Sequence, residues 1–298
     1  MICKGCGQPI VGRYVIALGA TWHPEHLLCS VCGHPILSQY YEYEGKLYHP
    51  DCYITQIAPR CVYCNKPLIS EYKIDFWGNK FCAQHEFEYQ ACRYCGRLVP
   101  PHQLGAKFFP DGKVSCSICQ SEAIKRTEQA NLLLEQIGHW FNKQGLWFKG
   151  LKLRIELYDY PEITQTSSDL VGKLGTTHFM FYSESNRIIR MDVKKVSILR
   201  GLPIVLFQGV AAHELGHVWL IVHQIHIRES WKEEGFCEIL AHRYYKSLNT
   251  RKGTFYANLI EQQKDPVYGM GFQYIYKIVR NMGFYRLINY IKVNKNIP

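Results

Sequence analysis

The sequence predicts an α+β protein in which tandem zinc-binding modules, built on short β-hairpins, precede a mainly helical domain with a small β-sheet. Three observations lead to this fold class. Twelve of the thirteen cysteines lie within residues 1–119, mostly as pairs with two intervening residues. Segments of alternating apolar and polar residues follow between 151 and 193, and the chain from 203 onward carries mostly helical patterns.

The composition is that of a globular protein, and 298 residues suit one large or two moderate domains. The net charge of +10 is dispersed, and no helix clusters Lys and Arg, so we expect no nucleic-acid partner. Cys3 and Cys6 stand where a secretory leader would need charged and then apolar residues. His213, Glu214 and His217 interrupt the most apolar stretch. We therefore expect a soluble, cytoplasmic protein without a membrane partner.

Four cysteine and histidine pairs at the amino terminus have the spacing of zinc knuckles. Sixteen residues separate Cys6 from His23, and sixteen separate Cys32 from His49. These equal intervals favour a sequential assignment, whereas a crossed, RING-like assignment would join the first and third knuckles as in a ubiquitin ligase. The two sequential sets are Cys3, Cys6, His23 and His26, and then Cys29, Cys32, His49 and Cys52. In this arrangement residues 1–58 resemble a LIM domain with two zinc ions.

A second group of pairs follows in residues 59–120 and predicts a LIM-like module with two further zinc ions. The gap from His85 to Cys92 is six residues instead of the two residues of a LIM domain. The predicted sets are Cys61, Cys64, Cys82 and His85, and then Cys92, Cys95, Cys116 and Cys119. All four positions on each metal are filled, so we expect these zinc ions to be structural and the modules to bind protein partners.

Some residues of types that can bind metal break the paired spacing. We interpret His34, Asp51 and His102 as surface residues and Cys237 as a small buried side chain.

The segment after the last cysteine-rich set predicts a helix over 120–143. Ile124, Ile137 and Phe141 form part of an apolar stripe on this helix, and Gly145 is the predicted stop. LKLRIELY at 151–158 predicts a half-buried strand. THFMFY and RIIRMDV predict a hairpin connected by SESN. These strands and the helices after them define a third domain, residues 121–298.

The stretch VAAHELGHVWL predicts a buried helix that follows Pro203. His213 and His217 are one turn apart, so both imidazoles can reach one metal ion. Glu214 projects to the adjoining side, where it can act as a general base towards a water molecule on that metal. Because buried His and Glu side chains need partners, the apolar flanks of this segment favour a metal site.

The segment WKEEGFCEIL, from 231 to 240, resembles the third-ligand helix of gluzincin peptidases, where a glutamate followed by Gly-Phe completes a zinc site. This resemblance implies that Glu234 is the third ligand and that the fourth position is open for catalysis. Glu233 and Glu238 are the alternatives, and Glu238 could instead orient a ligand histidine. His242 and Tyr268 are candidates for stabilising the transition state, with a packed histidine and an aromatic residue at a turn as the structural alternatives.

The order of motifs, with two cysteine-rich modules, then HELGHVWL, WKEEGFCEILAH and DPVYGMGF, resembles the plant DA family of LIM-containing, ubiquitin-activated peptidases. The resemblance implies a zinc endopeptidase that cleaves protein partners and holds one catalytic and four structural zinc ions. No ubiquitin-interacting helix precedes Cys3, so ubiquitin as a regulatory partner stays open. The main alternative function is a non-catalytic adaptor with a peptidase-like domain.

Overall fold

The computed structural model describes residues 1–159, 174–185 and 187–298, and it divides the chain into two compact units, Met1–Glu88 and Tyr89–Pro298. Each half of the predicted LIM-like module therefore lies in a different unit, because the division falls between the third and fourth cysteine-rich sets. The three predicted domains, 1–58, 59–120 and 121–298, stay a prediction. The α+β class is confirmed, because small hairpin modules precede a mainly helical part with one small sheet.

The unit Met1–Glu88 consists of three antiparallel hairpins with short helical turns between them. The strands are β1 Val15–Ala17, β2 Ala20–Trp22, β3 Tyr41–Tyr43, β4 Lys46–Tyr48, β5 Tyr72–Ile74 and β6 Lys80–Cys82. The helices are α1 Pro50–Cys52 and α2 His85–Glu88, with a 3-10 turn Pro24–His26 and a π-helical turn Tyr53–Ile57. β1 pairs with β2, β3 with β4 and β5 with β6.

The hairpin of β3 and β4 shows why the alternating segment YYEYEGKLYH folds as it does. Glu44 and Gly45 form its two-residue turn, and both have positive φ, at 50° and 71°. That conformation places β3 opposite β4 with the native twist, as two-residue hairpin turns require. Leu47 and Tyr48 of β4 are then buried in a small apolar core with Leu27 and Ile36. The core is small, so metal ligands have to contribute much of the stability of such a module.

The unit Tyr89–Pro298 contains the remaining elements among the described residues. The strands are β7 Gln90–Ala91, β8 Leu98–Val99, β9 Lys107–Phe108, β10 Val114–Ser115, β11 Ile155–Tyr158, β12 Gly175–Glu184 and β13 Arg187–Leu199. The helices are α3 Ser117–Ser121, α4 Thr127–Lys143, α5 Ile204–Val222, α6 Ser230–Ser247, α7 Arg251–Gln262, α8 Tyr268–Met282 and α9 Phe284–Asn294.

The main sheet has the order β11-β13-β12, with β11 parallel and β12 antiparallel to β13. The predicted hairpin is present, although its strands extend into the predicted SESN connection as far as Glu184. Asn186, the last residue of that connection, lies outside the described residues. The inner part of β13 is buried at Val196 and Ile198, and both β12 and β13 pack against α5.

The predicted helix at the join begins seven residues later than expected, at Thr127. Ile124 lies before this helix, because its backbone N–H donates to Leu202 O and its carbonyl accepts from Gly201 N. These bonds hold the chain extended, and an extended segment cannot also be helical. The predicted stop is present, since Gly145 has φ +77° just after the helix ends.

Helix α5 is the centre of the unit. It is long and apolar enough to pass a length-and-composition test for a membrane span, and most of it is buried inside the fold. Gly209 allows this packing, because a Cβ there would overlap the ring of Tyr245 from α6. A second close approach joins α6 to α8, where a Cβ at Gly235 would lie 2.3 Å from the backbone carbon of Gly271. These glycines let α6 lie close to α5, and α8 lie close to α6.

Candidate active site and metal centres

The structure brings together four cysteine and histidine sets that match the sequential assignment. In each set the ligand atoms lie within 4.8 Å of one another. The sets are Cys3, Cys6, His23 and His26; Cys29, Cys32, His49 and Cys52; Cys61, Cys64, Cys82 and His85; and Cys92, Cys95, Cys116 and Cys119. The crossed, RING-like pairing is wrong, because the first and third knuckles belong to different sets. His34, Asp51 and His102 are in none of the sets found among the described residues.

The spacing of the sulfur atoms fits a tetrahedral zinc ion. Two sulfurs at about 2.3 Å from a tetrahedral metal lie about 3.8 Å apart. The Sγ atoms of Cys92 and Cys119 are 3.8 Å apart, and those of Cys95 and Cys116 are 3.6 Å apart. A disulfide would bring a pair of sulfurs to about 2.05 Å, so these cysteines are free thiols at metal-ligand spacing.

Backbone amide groups favour the thiolate forms of Cys3 and Cys29, and the thiolate is the form that binds zinc. Burial raises the pKa of the Cys3 thiol, but hydrogen bonds from the backbone of His23 and the side chain of His26 outweigh burial and lower it to about 5. The pKa of Cys29 is lowered to about 6, because backbone hydrogen bonds from Cys32 and His49 outweigh the effect of burial. The local fold therefore prepares these cysteines for a cation.

The fourth set differs from the other three in its surroundings. All four of its cysteines are buried, and the set lies in the same compact unit as α5. Just after Cys119, the carbonyl of Glu122 accepts a hydrogen bond of 3.1 Å from the backbone N–H of Ile204, the first residue of α5. Lys252 of α7 forms an ion pair with the Glu122 carboxylate. The fourth knuckle is therefore attached to the start of the helix that carries HELGH.

A fifth site is formed where α5 packs against α6. His213 Nε2 and His217 Nε2 lie 3.3 Å apart, and Glu234 Oε2 is 3.0 Å from the first and 3.4 Å from the second. Two ligand atoms at about 2.1 Å from a tetrahedral zinc ion are about 3.4 Å apart, so this triangle has the dimensions of three zinc ligands. Sequence reasoning left Glu233 and Glu238 open as alternatives to Glu234, and the geometry favours Glu234.

The other two glutamates contact the opposite nitrogens of the same imidazoles. Glu233 Oε1 is 2.9 Å from His217 Nδ1, and Glu238 Oε1 is 3.2 Å from His213 Nδ1. A carboxylate in this position fixes the orientation of a ligand histidine and increases its basicity. Helix α6 thus supplies one carboxylate near the Nε2 atoms of the two histidines and one carboxylate to the Nδ1 atom of each histidine.

The charges of this cluster suit a cation. Burial lowers the pKa of His213, but hydrogen bonds with Glu234 and Glu238 outweigh burial and raise it well above its ordinary value. The pKa of Glu234 is lowered, because its hydrogen bonds with His213 and His217 outweigh burial. Three carboxylates around two imidazoles favour positive charge here, whether protons or a divalent metal ion supply it.

Cys237 lies closer to this site than sequence reasoning expected. Its thiol is within 4.8 Å of the ring nitrogens of His213 and His217. It is fully buried, and a Cβ on Gly216 of α5 would lie 2.8 Å from its Sγ atom. Burial raises the pKa of this thiol, which therefore stays protonated and packs as a small apolar side chain. Glu234 Oε2, at 3.0 and 3.4 Å from the two Nε2 atoms, is the better charged partner of the two histidines.

Glu214, the candidate general base, is buried between α5 and β12. The residue is 6 % exposed. Oε2 of Glu214 accepts a hydrogen bond of 2.6 Å from Thr177 Oγ1. Thr177 was not identified from the sequence, because this residue lies 37 positions before its partner and no local signal connects the two.

Tyr268 is at the fifth site and His242 is not. The ring centroid of Tyr268, the first residue of α8, lies 6.2 Å from that of His213. Burial, together with the charges of Glu234 and Glu238, raises the pKa of the Tyr268 phenol to about 12. His242 lies two turns further along α6 than Glu234, about 12 Å along the axis.

The surroundings of His242 support the structural alternative for this residue. His242 Nε2 is 2.7 Å from Glu261 Oε1, a partner that sequence reasoning did not identify. The imidazole also packs against Phe272 and lines a separate cavity of about 410 Å³. The structure therefore does not bring His242 to the candidate active site.

Comparisons with known proteins match both parts of the chain. A LIM-domain family model matches residues 3–57, and the family model described as Protein DA1 matches residues 161–254. Relatives include Protein DA1 and Protein DA1-related 1 of Arabidopsis thaliana, which are 26 % and 25 % identical over the whole chain. LIM domain-containing protein HDR3 of Oryza sativa subsp. japonica is 24 % identical, also over the whole chain. The alignments cover 68 %, 66 % and 74 % of these relatives, so the chain spans about two thirds of their length.

Proposed function

Because the chain combines a LIM domain with a DA1-like domain and is related to the plant DA1 family, we propose that it is a zinc-dependent endopeptidase that cleaves protein substrates. The observation that carries this proposal is the triangle of His213 Nε2, His217 Nε2 and Glu234 Oε2, with sides of 3.0, 3.3 and 3.4 Å. Three such ligands leave the fourth position of a tetrahedral metal open, which is typical of catalytic zinc sites.

The zinc ion would supply the electrophile, since it polarises the attacking water and the scissile carbonyl when bound. Glu214 would accept the proton of the water and pass it to the leaving amine. Its position on α5, one residue after His213, supports this role. Glu233 and Glu238 would hold the two imidazoles in place through their Nδ1 atoms.

Tyr268 is our candidate for stabilising the developing oxyanion. With a pKa raised to about 12, its phenol keeps its proton at neutral pH and can donate a hydrogen bond. Its pKa responds to the charges of Glu234, Glu238, His217 and Glu214, which supports a position facing the whole site.

We propose that the four cysteine-rich sets hold one structural zinc ion each and that the LIM domain recruits a protein substrate or regulator. LIM domains commonly mediate contacts between proteins, which supports an interaction role for residues 3–57. The cysteines are free thiols, which favours a reducing compartment such as the cytoplasm.

The test compares the wild type with Glu214→Gln on a mixture of unstructured peptides, with products identified by mass spectrometry. We expect the wild type to cleave and the Gln variant to be inactive, because an amide cannot accept the proton of the attacking water. Both proteins should contain five zinc ions per chain, since Glu214 is not among the ligands.

Matched metal variants complete the test. Glu234→Gln should lower the zinc content by one and abolish cleavage, whereas Glu238→Gln should keep the metal and lose only part of the activity. Peptide cleavage by Glu214→Gln at the wild-type rate would exclude the proposed mechanism. A wild type that cleaves no peptide, with or without added zinc, would favour the adaptor function.

A further inference from the structure

Thr177 of β12 makes a short contact with the candidate general base. Its Oγ1 is 2.6 Å from Glu214 Oε2 and 3.2 Å from the backbone carbonyl oxygen of the same residue. A hydroxyl group has one hydrogen, so the shorter contact is the hydrogen bond and the carboxylate is the acceptor. A hydrogen bond to a charged acceptor in a buried position is stronger than one between neutral groups.

The other oxygen of the same carboxylate faces a glycine. A Cβ on Gly175 would lie 2.8 Å from Glu214 Oε1 and 2.9 Å from Glu214 Cγ. Gly175 and Thr177 are two residues apart on one strand and therefore lie on the same face of the sheet. Together they form a cradle: the hydroxyl holds one oxygen of the carboxylate, and the absent side chain leaves room for the other oxygen.

The sheet holds this cradle in position. Thr177 is paired with Val196 of β13, and Gly175 is paired with Ile198. Both partners are fully buried, and β13 packs against α5, so the inner end of β12 is paired with the core of the unit. A group on a paired strand is placed more precisely than a group on a loop.

From this geometry we propose that Thr177 is a positioning residue for peptide cleavage. It orients the Glu214 carboxylate so that Oε2 is occupied and Oε1 is free to accept the proton of the attacking water. The inference rests on the proposed function, because it assigns a role in the same reaction. A merely structural role, in which the hydroxyl ties β12 to α5, predicts a loss of stability without a selective loss of turnover.

The test uses two substitutions in the full chain. Thr177→Val keeps the shape of the side chain and removes the hydroxyl, whereas Thr177→Ser keeps the hydroxyl and removes the methyl group. We would measure kcat and KM on a peptide that the wild type cleaves, together with zinc content and the thermal unfolding midpoint. We expect Thr177→Val to lower kcat about 10- to 100-fold with KM within about twofold and five zinc ions retained, and Thr177→Ser to restore most of kcat.

A second measurement does not depend on activity. The change in unfolding midpoint caused by Thr177→Val is compared in the wild type and in Glu214→Ala, which removes the acceptor. The hydrogen bond predicts a clear decrease in the first background and little change in the second.

The outcomes separate this proposal from the proposed function. Wild-type kcat in Thr177→Val would overturn the positioning role while leaving the peptidase intact. Equal losses of kcat in the Val and Ser variants would also overturn it, because packing and not the hydroxyl would then matter. Equal midpoint changes in both backgrounds would show that the hydroxyl does not interact with Glu214. A wild type without cleavage would overturn the proposed function itself.

Discussion

We expect the substitution Cys95→Ser to impair the candidate active site, although Cys95 belongs to a zinc knuckle and not to that site. The reason is the attachment of the fourth knuckle to α5. Ile124 and Glu122, just after the last cysteine of the set, are hydrogen-bonded to Gly201, Leu202 and Ile204 at the start of the helix. His213 lies nine residues after Ile204 on this helix.

A second connection runs through aromatic rings. Burial raises the pKa of Tyr256 on α7, and the charges of Tyr245 and of the thiols in the fourth knuckle raise it further. The ring of Tyr256 stacks on Tyr245 at 5.4 Å, and the Tyr245 ring lies directly against Gly209 of α5. A change in the knuckle therefore reaches α5 through packed groups on both sides.

The magnitude follows from the role of the metal. A structural zinc ion contributes on the order of 10 kcal/mol of folding free energy, which is comparable to the whole stability of a domain, about 5–15 kcal/mol. If Cys95→Ser removes even half of this contribution, about 5 kcal/mol, the unfolding midpoint of a unit of roughly 200 residues falls by about 10–20 °C.

The assay follows zinc content, peptide cleavage and hydrogen exchange of the segment 204–222, which reports on α5 directly. Cys64→Ser is the matched control, because Cys64 occupies the same place in the third knuckle but lies in the unit Met1–Glu88. We expect Cys95→Ser to increase exchange in α5 and lower cleavage, and Cys64→Ser to leave exchange in α5 unchanged. Loss of one zinc ion in Cys95→Ser without any change in α5 or in cleavage would refute this reasoning.

Two further predictions concern the helices around the site. Gly235→Ala should destabilise the protein by about 1–3 kcal/mol and lower kcat. The added Cβ would meet the backbone of Gly271 and push α8, with Tyr268, away from α6. An unchanged thermal midpoint would contradict this prediction. Burial lowers the pKa of His242 below its ordinary 6.5. The unfolded chain therefore takes up this proton at a higher pH than the folded protein. The stabilising effect of neutral His242 is lost as the pH falls below about 6.5. The destabilisation caused by His242→Gln should therefore shrink between pH 7.5 and pH 5.5 in denaturant titrations, and a constant difference would show that His242 does not titrate in this way.

The fold could be predicted furthest where the information is local. Equal intervals between the pairs of Cys6 with His23 and Cys32 with His49 indicated which knuckles share a set, because each set uses about twenty-five consecutive residues. The hairpin of β12 and β13 and the helix after Pro203 were likewise indicated by patterns within single segments. The late start of α4 was not, since hydrogen bonds from Ile124 to residues nearly eighty positions away override the helical pattern.

The candidate site shows the same limit. Spacing on α5 was enough to place His213 and His217 on one face, but Glu233, Glu234 and Glu238 differ only in how α6 is rotated against α5. That rotation depends on close packing at glycines such as Gly209. The sequence alone does not indicate which helix each glycine contacts.

The division of the two tandem modules has a physical cause that also bears on function. Among the four cysteine-rich sets, only the fourth is buried at all four ligands. A knuckle with exposed ligands can support a small module by itself. A buried knuckle is instead packed against a larger core. The fourth knuckle is packed in this way through its contacts with α5 and α7, so we expect a zinc ion held there to stabilise the helix that carries the candidate active site. The first and second sets have ligands nearer to solvent, and we expect their outer surfaces to be the ones that contact a protein partner. We therefore expect one repeated sequence motif to perform two tasks, and the burial of each copy to determine which task it performs.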